Sequence, residues 1–572
     1  MASVSEPTEI LWDLRVRELL PKPLVRPIDK SALLARTKPG LIYGALALAI
    51  LLPCLAPGYI LTLDMAFTPS LRLPDHVSSS YLFTAGLHYL NLIIPSQIIQ
   101  KLMLFLIILL SGLGMHYLVR HIQQTKDETG AAVWGAYVAG ALFAVNPFTY
   151  SRFMAGQYAV LLGYALLPFL VRAGLQFFCV PTLLRAVAVS GWLVLISIVS
   201  LHTLGLAAIV LLASFGVFVW RQRRNLGILR PVAWYSLVAA VLFIISSGYW
   251  LTPLVTGGSN QAQAAASFSA ADRQAFATAG GGTLAKLGNI LQLQGFWAEG
   301  QGLYLLPADQ LAGWPIVVLA LWTLVGIGAV WLWRNHRGVA VIVLGSALLA
   351  IAIALFGFGD FRPLAGYREP QKFIGLVAMA YAICAGLGAA FLFERFNQRR
   401  VALAISICAV ALLPVLLTPT MFWGFSGQLA PREYPADWSA INARLNQDST
   451  DFRVLSLPWH LYMHYQFAGR VILNPSDKFF DKPTIVSNEL EYAGAAPTFP
   501  DTDKSELTHQ ILPAAAGNPA FAGQLAGLHV KYVLLSKTYD YREYAYLDKQ
   551  PDLMLLTETP NLKLYRNLAY DR

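Results

Sequence analysis

The stretch YREPQKFIGLVAMAYAICAGLGAAFLFERFNQRR, residues 367–400, contains the pattern that decides the fold class. Its middle part, residues 372–394, is apolar and long enough to cross a lipid bilayer as a helix. One flank carries the charges of YREPQKF, and the other carries the arginines of Arg395–Arg400. Because short cytoplasmic loops are enriched in Lys and Arg, the arginine-rich flank is predicted to lie inside and YREPQKF outside.

Outward from this stretch, other apolar runs repeat the pattern. They cover residues 40–63, 98–119, 131–146, 158–178, 186–201, 203–220, 232–255, 313–333, 338–358 and 401–423. The long run 186–220 is divided near His202 because a single span there would place the Arg221–Arg224 cluster outside. The sequence therefore predicts a polytopic α-helical membrane protein with about eleven spans, residues 40–424, preceded by a cytoplasmic segment, residues 1–39.

Composition agrees with this class. Of the 572 residues, 56% are hydrophobic and only 13% are charged, whereas a soluble chain carries about 25% charged residues. Residues 425–572 hold 14 basic and 17 acidic side chains, so the basic excess of the whole chain belongs to the membrane part. Such an excess is typical of cytoplasmic loops and does not indicate nucleic-acid binding.

Residues 425–572 have a different character and are predicted to form a small extracytoplasmic α/β or α+β domain. Pro435–Leu445 has the pattern of an amphipathic helix with Pro and Asp in its first turn. Short β-rich segments are predicted as strands at residues 452–458, 470–475, 531–536, 553–558 and 562–567. Thr559-Pro560-Asn561 is predicted to turn between the last two strands.

Motifs of soluble catalysts are missing from the sequence. There is no G-x-x-x-x-G-K-[ST], G-x-S-x-G or H-E-x-x-H pattern, and no cysteine pair with metal-ligand spacing. No cofactor is therefore expected. The residues that remain as functional candidates are polar groups at the predicted outer boundary of the membrane.

Asp64 is the first candidate, because it follows the outer end of the first span in LTLDMAF. A carboxylate at that depth is partly desolvated, which raises its pKa and suits it to act as a general base. The alternative is that Asp64 caps a short helix predicted near Ser78–Leu90. Asp75 is a second candidate base, although it is better placed in the sequence as that cap.

The segment NPFTYSRFMAGQ, residues 146–157, is predicted as an outer loop that carries Tyr150 and Arg152. Arg152 could hold a phosphate group at the interface, or it could snorkel or pair with a nearby carboxylate. His202, in the predicted turn between two spans, is expected to be a polar interface residue more than a catalyst.

YREPQKF contains the strongest anion-binding pattern. Arg368 and Lys372 stand beside Pro370 at the predicted start of a helix, where the helix dipole, free amides and full charges would act together on an anion. Glu369 of the same segment is predicted as a supporting residue of this site. The alternative is a salt bridge between Arg368 and Glu369 that only holds the loop.

Taken together, these motifs resemble a known class. An acidic residue in the first outer loop, many spans and an outer C-terminal domain resemble the GT-C class of polyprenyl-phosphate-dependent glycosyltransferases. NPFTYSRFMAGQYAVLLGYALLPF and YREPQKF are similar to the membrane part of the mycobacterial arabinofuranosyltransferase D family, and to membrane proteins described as 6-pyruvoyl-tetrahydropterin-synthase-related. The pattern KYVLLS…NLKLYRN is similar to the tail of the YfhO family.

The resemblance implies an inverting transfer of a sugar from a polyprenyl-phosphate donor to a glycan, lipid or protein acceptor on the outer face. It places Asp64 at the position of the general base. LTLDMAF offers neither a D-x-D motif nor clustered carboxylates, so no metal is expected. A transporter or flippase of lipid-linked saccharides, which should show two related halves and midplane charges, is one alternative. A non-catalytic cell-envelope assembly protein is the other.

Overall fold

The computed structural model describes residues 30–124, 130–359, 361, 364, 366–491 and 501–571. Most of the predicted segment 1–39 lies outside these residues. Within the described part, ten helices are long and apolar enough to cross a membrane: Thr37–Leu55, Ser96–Gln123, Ala132–Met154, Tyr158–Cys179, Leu201–Gln222, Leu226–Val255, Trp314–Asn335, Arg337–Phe356, Pro370–Phe396 and Arg400–Leu417. A shorter apolar helix, Leu183–Val199, corresponds to the predicted span 186–201. The polytopic helical fold class is confirmed.

The helix Pro370–Phe396 lies at the centre of the bundle and is the most deeply buried of the described spans. Small residues explain this position. A Cβ atom on Gly328 would lie 1.7 Å from the carbonyl oxygen of Cys384, so the two helices cross with their backbones in contact. Close approach of this kind is how membrane helices associate in the absence of a hydrophobic driving force.

Shorter helices occupy the segments between spans: Tyr81–Asn91, Asn260–Ser267, Ala270–Ala275 and Thr283–Leu291. A further short helix, Pro147–Met154, forms the last part of the span Ala132–Met154, beyond a break at residues 145–146. The predicted outer loop 146–157 is thus mostly helical, because the Asn146 side chain accepts from the Thr149 N–H in a capping box and Pro147 occupies the first turn. The segment 256–312 is also folded. Its Leu291 carbonyl accepts hydrogen bonds from Tyr381 and Trp322 of the bundle.

The described residues of the C-terminal region form seven strands: β1 Arg453–Leu457, β2 Tyr462–Tyr465, β3 Arg470–Leu473, β4 Thr484–Ile485, β5 Val530–Ser536, β6 Leu553–Glu558 and β7 Leu562–Asn567. Five strands form a mixed sheet in the order β4-β1-β5-β7-β6, and β2 and β3 form a separate hairpin. The predicted helix is Ala436–Gln447; the further short helices are Ser476–Phe479, Thr502–Glu506, Leu512–Ala514 and Phe521–Gly527. Sequence patterning missed β2 and β4. The domain boundary at residue 425 stays a prediction.

The C-terminal region packs directly on one end of the bundle. Tyr59, just after the first span, pairs with Arg432 as an antiparallel bridge, and Leu63 pairs with Ile472 of β3. Buried residues of the first span and of the helix Ala436–Gln447 belong to one continuous apolar cluster. The segments predicted to lie outside, including those of Asp64, Tyr150 and Leu303, therefore meet this region at the same end of the bundle.

Candidate active site

Five side chains from three separate segments converge at this end of the bundle, and we refer to them as the membrane-end cluster: Asp64, Arg152, Gln157, Glu369 and Lys372. Asp64 follows the first span, Arg152 lies on the capped helix Pro147–Met154, and Lys372 lies in the first turn of the central helix. Sequence analysis predicted four of these residues as site candidates. Their convergence is a property of the tertiary structure.

Glu369 is the centre of charge pairing in the cluster. Its carboxylate lies 2.6 Å from Lys372 Nζ and 3.8 Å from Arg152 Nη1, and all three side chains are nearly buried. Burial by itself would raise the pKa of Glu369, but Lys372, His202 and Arg152 outweigh it and lower the pKa to about 2. Glu369 is therefore an ionised counter-ion at neutral pH. The alternative salt bridge between Arg368 and Glu369 is not formed.

Gln157 connects the two carboxylates of the cluster. Its Oε1 accepts from Arg152 Nη1 at 2.9 Å, which orients the amide so that Nε2 faces the acids. Nε2 lies 3.4 Å from Asp64 Oδ2 and 3.5 Å from Glu369 Oε2. Asp64 Oδ1 accepts a 2.6 Å hydrogen bond from the Tyr462 hydroxyl.

The environment of Asp64 differs from that of Glu369. Asp64 is half-buried, and no cation among the described residues pairs directly with it. Burial raises its pKa, and the charge of Glu369 adds to the rise, while Tyr462, Lys372 and Gln157 oppose it. The helix that begins at Tyr81 is preceded by Ser80 at its N-cap, so Asp64 is not a helix cap.

Arg368 lies beside the cluster with its guanidinium between two aromatic rings. Its Cζ lies 4.7 Å from the ring centre of Phe268 and 4.5 Å from that of Phe276, both on the segment 256–312. Nη1 of Arg368 is buried and has no hydrogen-bond partner among the described residues. A buried guanidinium N–H without a partner costs free energy unless a ligand accepts from it.

The remaining sequence candidates lie at different places. Asp75 is exposed in its loop, is not the N-cap of the following helix, and makes no hydrogen bond with the described cluster residues. Tyr150 is buried, donates to the Leu305 carbonyl and accepts from Gln428, so it joins the bundle to the C-terminal region. His202 lies in the first turn of a helix, not in a turn between spans, and contacts Tyr367 edge-on.

Sequence reasoning missed three residues of the site: Gln157, Tyr462 and Glu299. Gln157 is the last residue of the segment 146–157, but an amide side chain in a sequence does not by itself indicate a catalytic or binding role. Tyr462 lies in a strand that patterning did not find. Glu299 lies on the segment 256–312, and burial raises its pKa to about 7, although the Gly295 and Phe296 N–H groups and Arg152 lower it.

Within the described part of the chain, no group of three or more His, Cys, Asp or Glu side chains is arranged to hold a metal ion. The expectation of metal-independent chemistry stays a prediction.

No protein-family model matches the sequence, and no curated protein matches it. Among solved structures, the fold is similar to that of the arabinofuranosyltransferase AftD from Mycobacteria, with a TM-score of 0.63 and 15% identity over 94% of this chain and 40% of that one. The chain thus spans about two fifths of the length of AftD. The GT-C fold that the sequence resemblance implied is confirmed.

Two further similar structures have lower scores. The oligosaccharyltransferase AglB from Archaeoglobus fulgidus, in complex with a peptide and dolichol phosphate, matches with a TM-score of 0.37 and 12% identity over 94% of this chain and 71% of that one. ArnT from Cupriavidus metallidurans, bound to undecaprenyl phosphate, matches with a TM-score of 0.44 and 12% identity over 95% and 99%. The resemblance to the YfhO family stays a prediction.

Proposed function

We propose that this protein is a GT-C glycosyltransferase that moves a sugar from a polyprenyl-phosphate donor to a glycan, lipid or protein acceptor on the outer face of the membrane. The shared fold supports the class. The observation that carries the chemistry is the contrast between two neighbouring carboxylates, Asp64 and Glu369. Where the surroundings push the pKa values of two acids apart, their roles in acid–base chemistry differ.

Asp64 fits the role of general base. Lys372 and Arg152 keep Glu369 ionised, so its carboxylate is a poor proton acceptor. Asp64 has a raised pKa, is partly accessible and has no direct cation partner in the part of the chain that the structure describes, so its carboxylate can take a proton from an incoming hydroxyl. A raised pKa makes the carboxylate a stronger base, provided that it stays ionised at the working pH.

The reaction would be an in-line displacement at the anomeric carbon. The acceptor oxygen forms the new glycosidic bond, its proton passes to Asp64, and the bond from the anomeric carbon to the phosphate oxygen breaks. The electron pair leaves with polyprenyl phosphate, and the configuration inverts. Arg368 would bind the departing phosphate; the support is its buried Nη1, which has no hydrogen-bond partner among the described residues. Arg152 and Lys372 are engaged by Glu369 and would act on the phosphate only at longer range.

Asp64→Asn tests the proposal most directly. The substitution keeps the size of the side chain and removes its basicity, so turnover should fall at least about a hundredfold while donor binding and folding persist. The first donor to test is polyprenyl-phosphate-linked arabinofuranose, because an arabinofuranosyltransferase shares the fold; mannosyl and glucosyl donors follow. Release of polyprenyl phosphate by purified full-length protein is the measurement.

The matched control is Asp75→Asn, which makes the same change at an exposed carboxylate of the same loop. It should leave turnover unchanged. Near wild-type turnover in Asp64→Asn would remove the general base from the proposal. Addition of EDTA should also leave turnover unchanged.

Sidedness has its own test. The proposal places the N-terminal segment in the cytoplasm and the C-terminal region outside. An impermeant thiol reagent applied to intact cells should label Ser505→Cys and not Gln222→Cys. Labelling of both variants from the same side would contradict the topology.

A further inference from the structure

The hairpin of β2 and β3 reaches from the C-terminal region into the membrane-end cluster. Tyr462, the first residue of β2, is half-buried, and its hydroxyl donates to Asp64 Oδ1 at 2.6 Å. This is the shortest hydrogen bond made by the Asp64 carboxylate. Charge-assisted hydrogen bonds of this length are about twice as strong as neutral ones.

The same hairpin also holds the backbone next to Asp64. The Leu63 N–H donates to the Val471 carbonyl at 3.3 Å, and the Leu473 N–H donates to the Leu63 carbonyl at 2.9 Å. Leu63 has a φ of 33°, in the left-handed region that a residue with a side chain seldom adopts. Such strain persists only where the surrounding structure holds it, and it is concentrated at functional sites.

The strand that carries Tyr462 is anchored in turn within the C-terminal region. His460 lies between two carboxylates, 2.9 Å from Glu491 and 3.0 Å from Asp540. The Leu461 N–H donates to Glu491 as well. Tyr462 therefore directly follows two residues that Glu491 and Asp540 hold in place.

We propose that Tyr462 is a positioning residue for the base, so that the C-terminal region completes the active site. This inference rests on the proposed function of Asp64. The hydrogen bond from Tyr462 fixes Oδ1 and leaves Oδ2, on the side of Gln157, for the acceptor hydroxyl. The separate hairpin thereby gains a role that the five-stranded sheet does not share.

The effect on acid–base behaviour follows from all groups that face Asp64. Burial and the negative charge of Glu369 raise the pKa of Asp64, whereas Tyr462, Lys372 and Gln157 lower it. Arg152 and Tyr158 also interact electrostatically with it. Among the groups that lower the pKa of Asp64, Tyr462 has the largest effect, so its loss should move that pKa upward.

Tyr462→Phe removes only the hydroxyl. We expect the acidic limb of the pH profile of kcat to move upward by about one pH unit, because a hydrogen bond to the ionised carboxylate is lost. At a pH well below the wild-type midpoint, kcat should fall about tenfold, while KM for polyprenyl-phosphate-linked arabinofuranose stays unchanged. The control is Tyr465→Phe in the same strand, whose hydroxyl donates to Asn474 and not to Asp64; it should leave the midpoint unchanged.

Two results would overturn the inference. One is a Tyr462→Phe profile with the wild-type midpoint. The other is an equal shift in Tyr465→Phe, which would assign the effect to hairpin packing. Failure of the proposed function is distinguishable, because then Asp64→Asn itself retains turnover.

A second readout needs no sugar donor. The pH at which the Asp64 carboxyl band titrates, obtained by infrared difference spectroscopy against Asp64→Asn, should be higher in Tyr462→Phe than in wild type. An unchanged titration point would overturn the inference in the same way.

Discussion

Charged side chains lie in two different settings in this protein, the membrane-end cluster and the surface of the C-terminal region. In the cluster, the side chains of Arg152, Lys372 and Glu369 are only 1%, 7% and 11% exposed. In the C-terminal region, a typical pair, Arg453 and Asp503, is 30% and 40% exposed. Transfer of an ion from water into the protein interior costs several kcal/mol of free energy per charge. An ion pair at the surface has a small desolvation cost and contributes little to the free energy of unfolding. The difference indicates that the cluster serves a purpose other than stability.

The largest effect is expected from breaking the centre of the cluster. Glu369→Gln leaves Arg152 and Lys372 buried without a counter-ion, and removing one partner of a buried pair typically costs about 3–5 kcal/mol. The thermal midpoint of the detergent-solubilised protein should fall markedly. The control is Glu394→Gln, the same change at an exposed position of the central helix. If both variants melt alike, the cluster is not a buried ion network.

The next effect concerns Arg368, the cation beside the cluster that does not pair with Glu369. Arg368→Ala should weaken binding of polyprenyl phosphate at least about tenfold, because a charge-assisted hydrogen bond contributes about 1.5–3 kcal/mol, and should leave the thermal midpoint almost unchanged. Binding can be measured in nanodiscs with polyprenyl phosphate itself. Arg334→Ala, an exposed arginine on another helix, is the control. Unchanged affinity in Arg368→Ala would move the phosphate site elsewhere.

A smaller effect is expected at His460, a side chain of the C-terminal region that is less exposed than the surface pair of Arg453 and Asp503. Burial would lower the pKa of His460, but Glu491 and Asp540 outweigh it and raise the pKa to about 9. Since the ordinary pKa of histidine is about 6.5, protonated His460 stabilises the folded state fully below pH 6.5. This contribution is lost as the pH rises through 9. A local loss of about 1–2 kcal/mol should follow over this interval.

Hydrogen exchange of residues 453–465 between pH 6 and pH 10, corrected for intrinsic rates, measures this loss. His460→Gln should remove the pH dependence, whereas His464→Gln, at an exposed position of the same hairpin, should retain it. A dependence that persists in His460→Gln would assign it to another group.

The smallest effect is expected at the surface. Asp503→Asn breaks the pair with Arg453, and exposed pairs typically contribute less than about 1 kcal/mol. The thermal midpoint should stay near that of the wild type. A loss comparable to that of Glu369→Gln would remove the distinction between the two settings.

Much of the architecture could be predicted from local patterns. Apolar runs of span length identified the helices, and the basic loops predicted which of their ends share a side. Five of the seven strands that the described residues form, and the turn at Thr559–Asn561, were also predicted, because β-branched and aromatic runs are local signals. The strands β2 and β4 were missed, since one is a mixed segment, YMHY, and the other has two residues.

The sequence by itself determined that this is a polytopic membrane protein and that its unexplained charges, among them Asp64, Arg368 and Lys372, lie at the predicted outer boundary. Hydrophobic periodicity and charge bias are properties of short segments, so they can be read without a structure. Only the tertiary structure decided how those charges pair. Glu369 forms ion pairs with Lys372 and Arg152 and not with its sequence neighbour Arg368. Tyr462 donates a hydrogen bond to Asp64, which lies 398 residues earlier in the sequence. Such partners depend on where helices cross and where the hairpin docks, and those positions are set by packing of the whole chain.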